Sequence, residues 1–375
     1  MQFKNVIGQE KVKTVLLKEA KNNRISHAQM FLGDEGCGNL PLAMAFAQYL
    51  LCESPSKNDS CGTCSSCTKV SHLTHPDVHY VFPVVKSVAE KVAVSDDRRN
   101  LWNKFISESA YCSLNTWQEY TGEMSKNAQI GVQESRSILK KLALKSYSGI
   151  YKIMIIWLPE KMNNSAANKL LKILEEPPES TLFFLVCEAI DTILPTIISR
   201  TQIIKVPNLN ADEVKSFLLQ NGEVDDASAQ SIASLTQGNL VEAVNMTTGD
   251  SGNSYFDSFV TLMRSAYAID AIALMDISEK LAQYDRENQK NFLKYGLHMF
   301  RESLMYNYLG EDKVNVKNEE KAFLNKFARF INNQNITPLI TEFEQSIYHI
   351  DRNANAKLLF SDLVIKLTKL IKKGV

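Results

Sequence analysis

Over residues 1 to about 207 the chain alternates short, continuous apolar runs with segments whose apolar positions recur at helical spacing. Runs at Gln29–Leu32, Val78–Phe82, Ile153–Leu158, Thr181–Cys187 and Gln202–Val206 read as strands. They are apolar throughout rather than at every second position, which predicts strands covered on both faces, as in a parallel sheet flanked by helices. Between the third and fourth runs, Ala166, Ala167, Leu170, Leu171 and Leu174 follow a helical period. That predicts a helix over Ser165–Glu176, stopped by Pro177-Pro178. Residues 84–128 are polar, carry Asp96-Asp97-Arg98-Arg99 and have no clear strand pattern, so they read as an insertion.

From Asn208 the pattern turns helical. Asn210 with Glu213 three positions on is an N-cap signature for a helix through Leu219. Shorter helices fit Ala227–Leu235 and Leu240–Met246, and Thr247–Ser254 has the composition of a linker. Everything beyond is helix-like, ending in a helix over Lys357–Lys373 whose lysines at 366, 369, 372 and 373 suit a helix C-terminus on a solvated face. The expected organisation is a parallel α/β domain over 1–207, a small helical domain over 208–250 and an all-α domain over 251–375.

A length of 375 residues fits two or three domains. Composition adds exclusions: 45% hydrophobic and 9% aromatic residues describe a chain able to bury cores, not a disordered one. Lys plus Arg and Asp plus Glu are both 42, a formal charge of zero, which argues against coating nucleic acid by bulk charge. No apolar run approaches the ~18 residues of a membrane span, and the first residues lack a signal-peptide stretch. A cytoplasmic protein with no membrane partner is expected.

Cysteine brings the first specific chemistry. Cys52, Cys61, Cys64 and Cys67 fall close together, while Cys37, Cys112 and Cys187 are scattered. The C-x8-C-x2-C-x2-C spacing puts four soft ligands within reach of one tetrahedral ion, with Gly62, Ser65 and Ser66 allowing tight turns. Zinc in a closed, structural site is the expectation. An iron–sulfur cluster is the alternative, disfavoured because no cysteine three residues on and no proline follow Cys67; unliganded thiols are the bland reading. His72 and His75 lie nearby and read as ordinary polar residues.

After the first strand comes Gly33-Asp34-Glu35-Gly36-Cys37-Gly38-Asn39-Leu40. The glycines sit where a strand–loop–helix cradle would close backbone N–H groups on phosphate. Such a cradle also needs Lys for the β/γ-phosphates and Ser or Thr for Mg²⁺. Asn39 and Leu40 supply neither, and a Gly-rich turn with no ligand is the competing reading. The third strand ends Trp157-Leu158-Pro159-Glu160, without the acidic strand tip that a nucleotide hydrolase uses.

Together these residues resemble the clamp-loader family of the bacterial replicative DNA polymerase III, within the AAA+ class, closest to its delta-prime branch. The resemblance is carried by His27-Ala28, the degenerate Gly33, Gly36, Gly38 and Asn39 loop, and the inserted cysteines. It extends through His75-Pro76-Asp77, the run Ala166 to Pro178, and Leu194-Pro195-Thr196-Ile197-Ile198-Ser199-Arg200. It covers residues 1 to about 83 and 129–207. It implies a P-loop, AAA+-like α/β domain with a zinc module, a helical lid and an all-α collar. It also implies that Arg200, beside Ser199, reaches a neighbouring subunit's ATP as an arginine finger, although Thr201 stands where the family usually has Cys. Cys187-Glu188 and Gly238–Ala243 depart from the family's nucleotide-sensing positions. The implied protein does not hydrolyse ATP itself. It works in a pentameric ring with ATPase and delta subunits and acts, through that complex, on the sliding clamp and primed DNA. An ATP-hydrolysing gamma/tau-like subunit is one alternative, and a zinc-dependent nucleic-acid-binding protein is the other.

Overall fold

The computed structural model describes residues 1–124, 126–143, 146–147, 149–222, 224–248, 251–310, 314, 316 and 318–373. Two compact units result: Met1–Glu213 with Gly238–Glu242, and Val214–Gln237 with the chain from Ala243 on.

In the first unit, strands β1 (Ala28–Leu32), β2 (Val78–Val81), β3 (Lys152–Trp157), β4 (Thr181–Cys187) and β5 (Gln202–Lys205) form a sheet in the order β2-β3-β4-β1-β5. Every pairing is parallel. All five expected strands are present, with ends shifted by a residue or so. Register places Leu32 beside both Cys187 and Lys205, so the carboxyl ends of β1 and β4 open side by side. In such sheets ligands are taken up in the crevice at these ends.

The continuous apolar runs have the cause inferred from them. Phe31, Ile155, Phe184 and Val186 belong to one core, and Met30, Met154, Phe183 and Leu185 to another. Successive side chains of each central strand point to opposite faces, and helices cover both. Phe184 stacks on Phe46 of α2 (Asn39–Leu50) with ring centroids 5.4 Å apart. The helix α7 (Asn164–Glu175) packs on the other face and is capped by Asn163, whose Oδ1 accepts from Ala166 N at 2.9 Å.

Residues 84–128 hold two helices, α4 (Arg99–Glu108) and α5 (Leu114–Tyr120), between α3 (Ser65–Ser71) and α6 (Val132–Ala143) in chain order. They are docked firmly rather than looped out. Trp102 stacks on Phe82 at 4.1 Å, and Trp117 donates its indole N–H to the Pro83 carbonyl at 3.1 Å. Glu134 of α6 accepts from Ser95 N at 2.6 Å and from its hydroxyl at 2.8 Å.

The helix α9 (Ala211–Asn221) starts with the reciprocal cap expected of Asn210 and Glu213: each backbone N–H donates to the other's side chain at 2.8 Å. The second unit is helical, including α10 (Asp226–Leu235), α12 (Ser251–Ala268), α13 (Ala271–Ala282) and α14 (Arg286–Leu309). It continues through α15 (Asn318–Phe327), α16 (Ile336–Asp351) and α17 (Ala356–Lys372). The stretch Thr247–Ser254, expected as a linker, is mostly helix: α11 (Leu240–Thr248) runs to its second residue, and α12 starts at Ser251. Gly249 and Asp250 lie outside the described residues. Phe259, Phe292, Phe300, Phe343 and Phe360 form the centre of this unit's core.

Candidate functional site: a four-cysteine cluster and a filled phosphate loop

The helix α2 joins two sites. It begins at the Gly-rich loop and ends two residues before Cys52. Twelve residues at about 1.5 Å each separate them by roughly 18 Å, too far for a metal at the cysteines to act on chemistry at the loop.

At the far end, the sulfurs of Cys52, Cys61, Cys64 and Cys67 all lie within 4.8 Å of one another. Cys61 and Cys67 Sγ are 3.9 Å apart, close to the ~3.8 Å edge of a tetrahedron with bonds of about 2.3 Å to zinc. Backbone N–H groups point at the sulfurs: Cys61 N donates to Cys52 Sγ at 3.2 Å, Cys64 N to Cys61 Sγ at 3.3 Å, and Cys67 N to Cys64 Sγ at 3.4 Å. Such bonds orient thiolates and stabilise their charge. Backbone donors at Thr63 and Cys64 pull the Cys61 thiol down to about 6, while burial pushes Cys52 and Cys67 up. Four sulfurs at these separations are a donor set that a metal ion fits.

The cluster is tied to the sheet domain. Asp59 accepts from Phe3 N and Lys4 N at 3.0 Å each, and Gln48 donates to Ser60 Oγ at 3.0 Å. His75 is buried, accepting from Asp77 N through Nδ1 at 3.1 Å. Its Nε2 therefore carries the proton and donates to Ser66 Oγ at 2.8 Å. Burial depresses its basicity, which keeps it neutral. The His75-Pro76-Asp77 motif is thus a brace between α3 and β2, and His75 is not a ligand.

At the near end, the loop's own groups satisfy one another. Asn39 Nδ2 donates to Gly33 O at 3.1 Å, and Asn39 Oδ1 accepts from Leu40 N at 2.8 Å. Cys37 N donates to Asp34 O at 3.2 Å, and Gly33 N to Cys187 O at 3.1 Å. Two neighbours lie against the glycines. Gly36 has φ +75°, and an added Cβ would stand 2.1 Å from Asn239 Oδ1. At Gly38, φ +95°, it would meet the Tyr111 ring at 3.2 Å. Asn239 also donates to Glu35 at 3.2 Å and accepts from Glu242 N at 3.1 Å.

The electrostatics oppose an anion. Glu188, next to the β4 tip, is pushed up to about 8 by burial, with the Glu35, Glu160 and Asp34 carboxylates adding to it and Lys161 opposing. Glu160 does not face a phosphate: its Oε1 accepts from Glu188 N at 2.9 Å and Ala189 N at 3.3 Å, bracing the end of β4.

The chain has known relatives. The family described as DNA polymerase III, delta subunit, matches residues 8–210, more than half of the chain. The chain belongs to this clamp-loader family, and within it is of the delta-prime kind. The delta-prime subunit of Bacillus subtilis (strain 168) is 25% identical over 361 residues, covering 96% of this chain and 96% of that protein. That of Escherichia coli (strain K12) is 28% identical over 188 residues, covering 50% and 44%. A solved gamma subunit-related protein from Thermotoga maritima aligns over 96% of this chain and 99% of that one, with a TM-score of 0.40 at 16% identity.

The Ser199-Arg200 pair that resembles the clamp-loader motif follows the short helix α8 (Pro195–Ile198). The Arg200 guanidinium donates to Thr196 O at 2.9 Å and Ser199 Oγ at 3.3 Å, and pairs with Glu175 at 2.6 Å. Its side chain is 36% exposed, and that of Glu175 46%.

Two residues escaped the sequence reading. Tyr111 lies in a polar insertion whose pattern gives it no role, yet that insertion holds two of the chain's three tryptophans, Trp102 and Trp117, a sign of packing. Gln9 adopts a left-handed backbone, φ 62°, and its Nε2 donates to Cys37 O at 2.9 Å and Pro207 O at 2.6 Å. No sequence pattern marks it.

Proposed function

We propose that this chain is a non-hydrolysing, delta-prime-like clamp-loader subunit that lends Arg200 to a neighbouring ATPase subunit. The observation carrying this reading is the phosphate loop. Asn39 stands where the cation should be and is spent on Gly33 O, while the loop itself carries the acidic residues Asp34 and Glu35. Without a Lys and a magnesium-holding hydroxyl, γ-phosphate transfer lacks its charge neutralisation.

Arg200 supports the second half. A guanidinium stays charged at any working pH and offers a planar fork to phosphate oxygens. Its ion pair with Glu175 is solvent-exposed and worth at most about 1 kcal/mol, so a partner's triphosphate can displace it. The guanidinium then meets the charge developing on the transferred phosphoryl group in trans, with no chemistry of its own.

The four cysteines would hold zinc, which supplies structural cross-linking only, since four protein ligands leave no open position. Residues 208–250 would act as the lid region and 251–375 as the collar of a pentameric ring containing ATPase and delta subunits. Through that complex the chain would work in the cytoplasm on the sliding clamp and primed DNA. No helix among the described residues is long and apolar enough to cross a membrane.

The test is Arg200→Ala in a loader reconstituted from its subunits. Assembly should persist, and DNA-stimulated hydrolysis at the adjoining site should fall by about 10³-fold or more. Unchanged turnover would refute the arginine-finger role. Turnover of MgATP by the isolated chain would refute the non-hydrolysing role.

A further inference from the structure

The insertion 84–128 belongs to neither the cysteine cluster nor the Ser199-Arg200 motif, yet it reaches the Gly-rich loop. We propose that its segment Ala110–Cys112 is a built-in occupant of the degenerate phosphate loop, with the Tyr111 side chain standing where an incoming nucleotide would need to lie. This rests on the non-hydrolysing reading and gives it a physical mechanism.

Three sets of contacts carry it. First, the ring lies on Gly38: a Cβ there would be 3.2 Å from Cε1, 3.4 Å from the phenolic oxygen and 3.7 Å from Cζ. A phosphate oxygen must come within about 2.9 Å of the loop's N–H groups, and a tetrahedral phosphate does not fit beside a ring this close. Second, the phenolic oxygen accepts from Ile7 N at 2.8 Å, so the side chain bridges the loop and the N-terminal segment. Third, Ala110 and Cys112 are buried in the same core as Cys37 and Leu40, which pins both sides of the tyrosine.

The segment is held from behind as well. Besides the Trp102, Trp117 and Glu134 anchors, Arg98 pairs with Glu123 at 2.9 Å. Tyr111 N and O are both engaged by the Ser109 hydroxyl, at 3.1 and 3.0 Å. A surface loop folding over a site would lack this buried support. Cys112 lies close enough to Glu188 and Glu35 that their carboxylates, after burial, raise its thiol. Gly38 is required twice over, by its left-handed backbone and by the ring above it.

The occupant can be separated from the missing lysine. In the full chain, Asn39→Lys with Leu40→Thr restores the lysine and the hydroxyl; a third change, Tyr111→Ala, removes the ring. Binding of MgADP is read by calorimetry and by thermal shift. The wild type and the N39K/L40T chain should bind no MgADP at 1 mM, and the N39K/L40T/Y111A chain should bind at least about tenfold more tightly than the double variant. Equal binding by the double and triple variants, whether tight or absent, overturns the occupant role. MgADP binding by the wild type likewise overturns the occupant role, whereas MgATP turnover by the wild type overturns the reading on which it rests.

If the triple variant does not fold, Tyr111→Phe decides. It keeps the ring and removes only the acceptor for Ile7 N. Exchange of the Ile7 amide should then speed up by about tenfold or more, with the global Tm nearly unchanged. An unchanged Ile7 amide would refute the bridge.

Discussion

Single residues at the crevice set its charge. Losing a lysine removes one charge, and the acidic residues Asp34 and Glu35 stand on the loop in its place. Burial and the Glu35, Glu160 and Asp34 carboxylates raise Glu188 to about 8, against an ordinary carboxyl near 4.5. The folded state therefore holds a proton that the unfolded chain releases between those values. The stability this proton confers is fully present below about pH 4.5 and is lost as pH rises through about 8. Glu188→Gln keeps the shape and cannot ionise. The Tm of this variant should match the wild type near pH 4.5 and exceed it increasingly toward pH 8, measured by thermal melts across that range. A difference that shrinks with rising pH would refute the assignment.

At the level of elements, the cysteine module separates capping from metal binding. Cys64 is the N-cap of α3, its sulfur accepting from Cys67 N. Serine is itself a strong N-cap, so Cys64→Ser keeps a helix-capping acceptor while deleting a thiolate ligand. Elemental analysis should find about one zinc per wild-type chain and a marked loss in C64S. Amide protection across Ser65–Ser71 should fall with it, because structural zinc contributes to folding directly. Wild-type protein without metal would remove the zinc assignment. This module was legible in the sequence because ligand type and spacing are local facts, as were the five strands and the Asn210–Glu213 cap. The insertion was not. Its fold depends on Trp102 finding Phe82 and on Glu134 finding Ser95, contacts between segments twenty to forty residues apart that leave no period in either segment. The stretch expected as a linker is helical at both ends, because its small polar residues are compatible with either state.

For the molecule as a whole, the helical unit has a core of its own, separate from the two that flank the sheet, so damage in one unit need not spread to the other. Gly296, within α14, tests this. A helix-interior glycine replaced by alanine ordinarily gains up to about 1 kcal/mol. Here the added Cβ would lie 2.3 Å from Phe343 Cε1 and 3.0 Å from Cδ1 of α16, both in the buried centre of the second unit. Phe343 is fully buried, with its ring edge against Phe300 at 5.0 Å, so it has no free direction in which to retreat. Overpacking of this kind costs about 1–3 kcal/mol and outweighs the propensity gain. Gly296→Ala in the full chain should therefore lower amide protection in α12, α14, α16 and α17, while β1, β3 and β4 exchange as in the wild type. Equal loss of protection in the strands would show that the two units unfold as one.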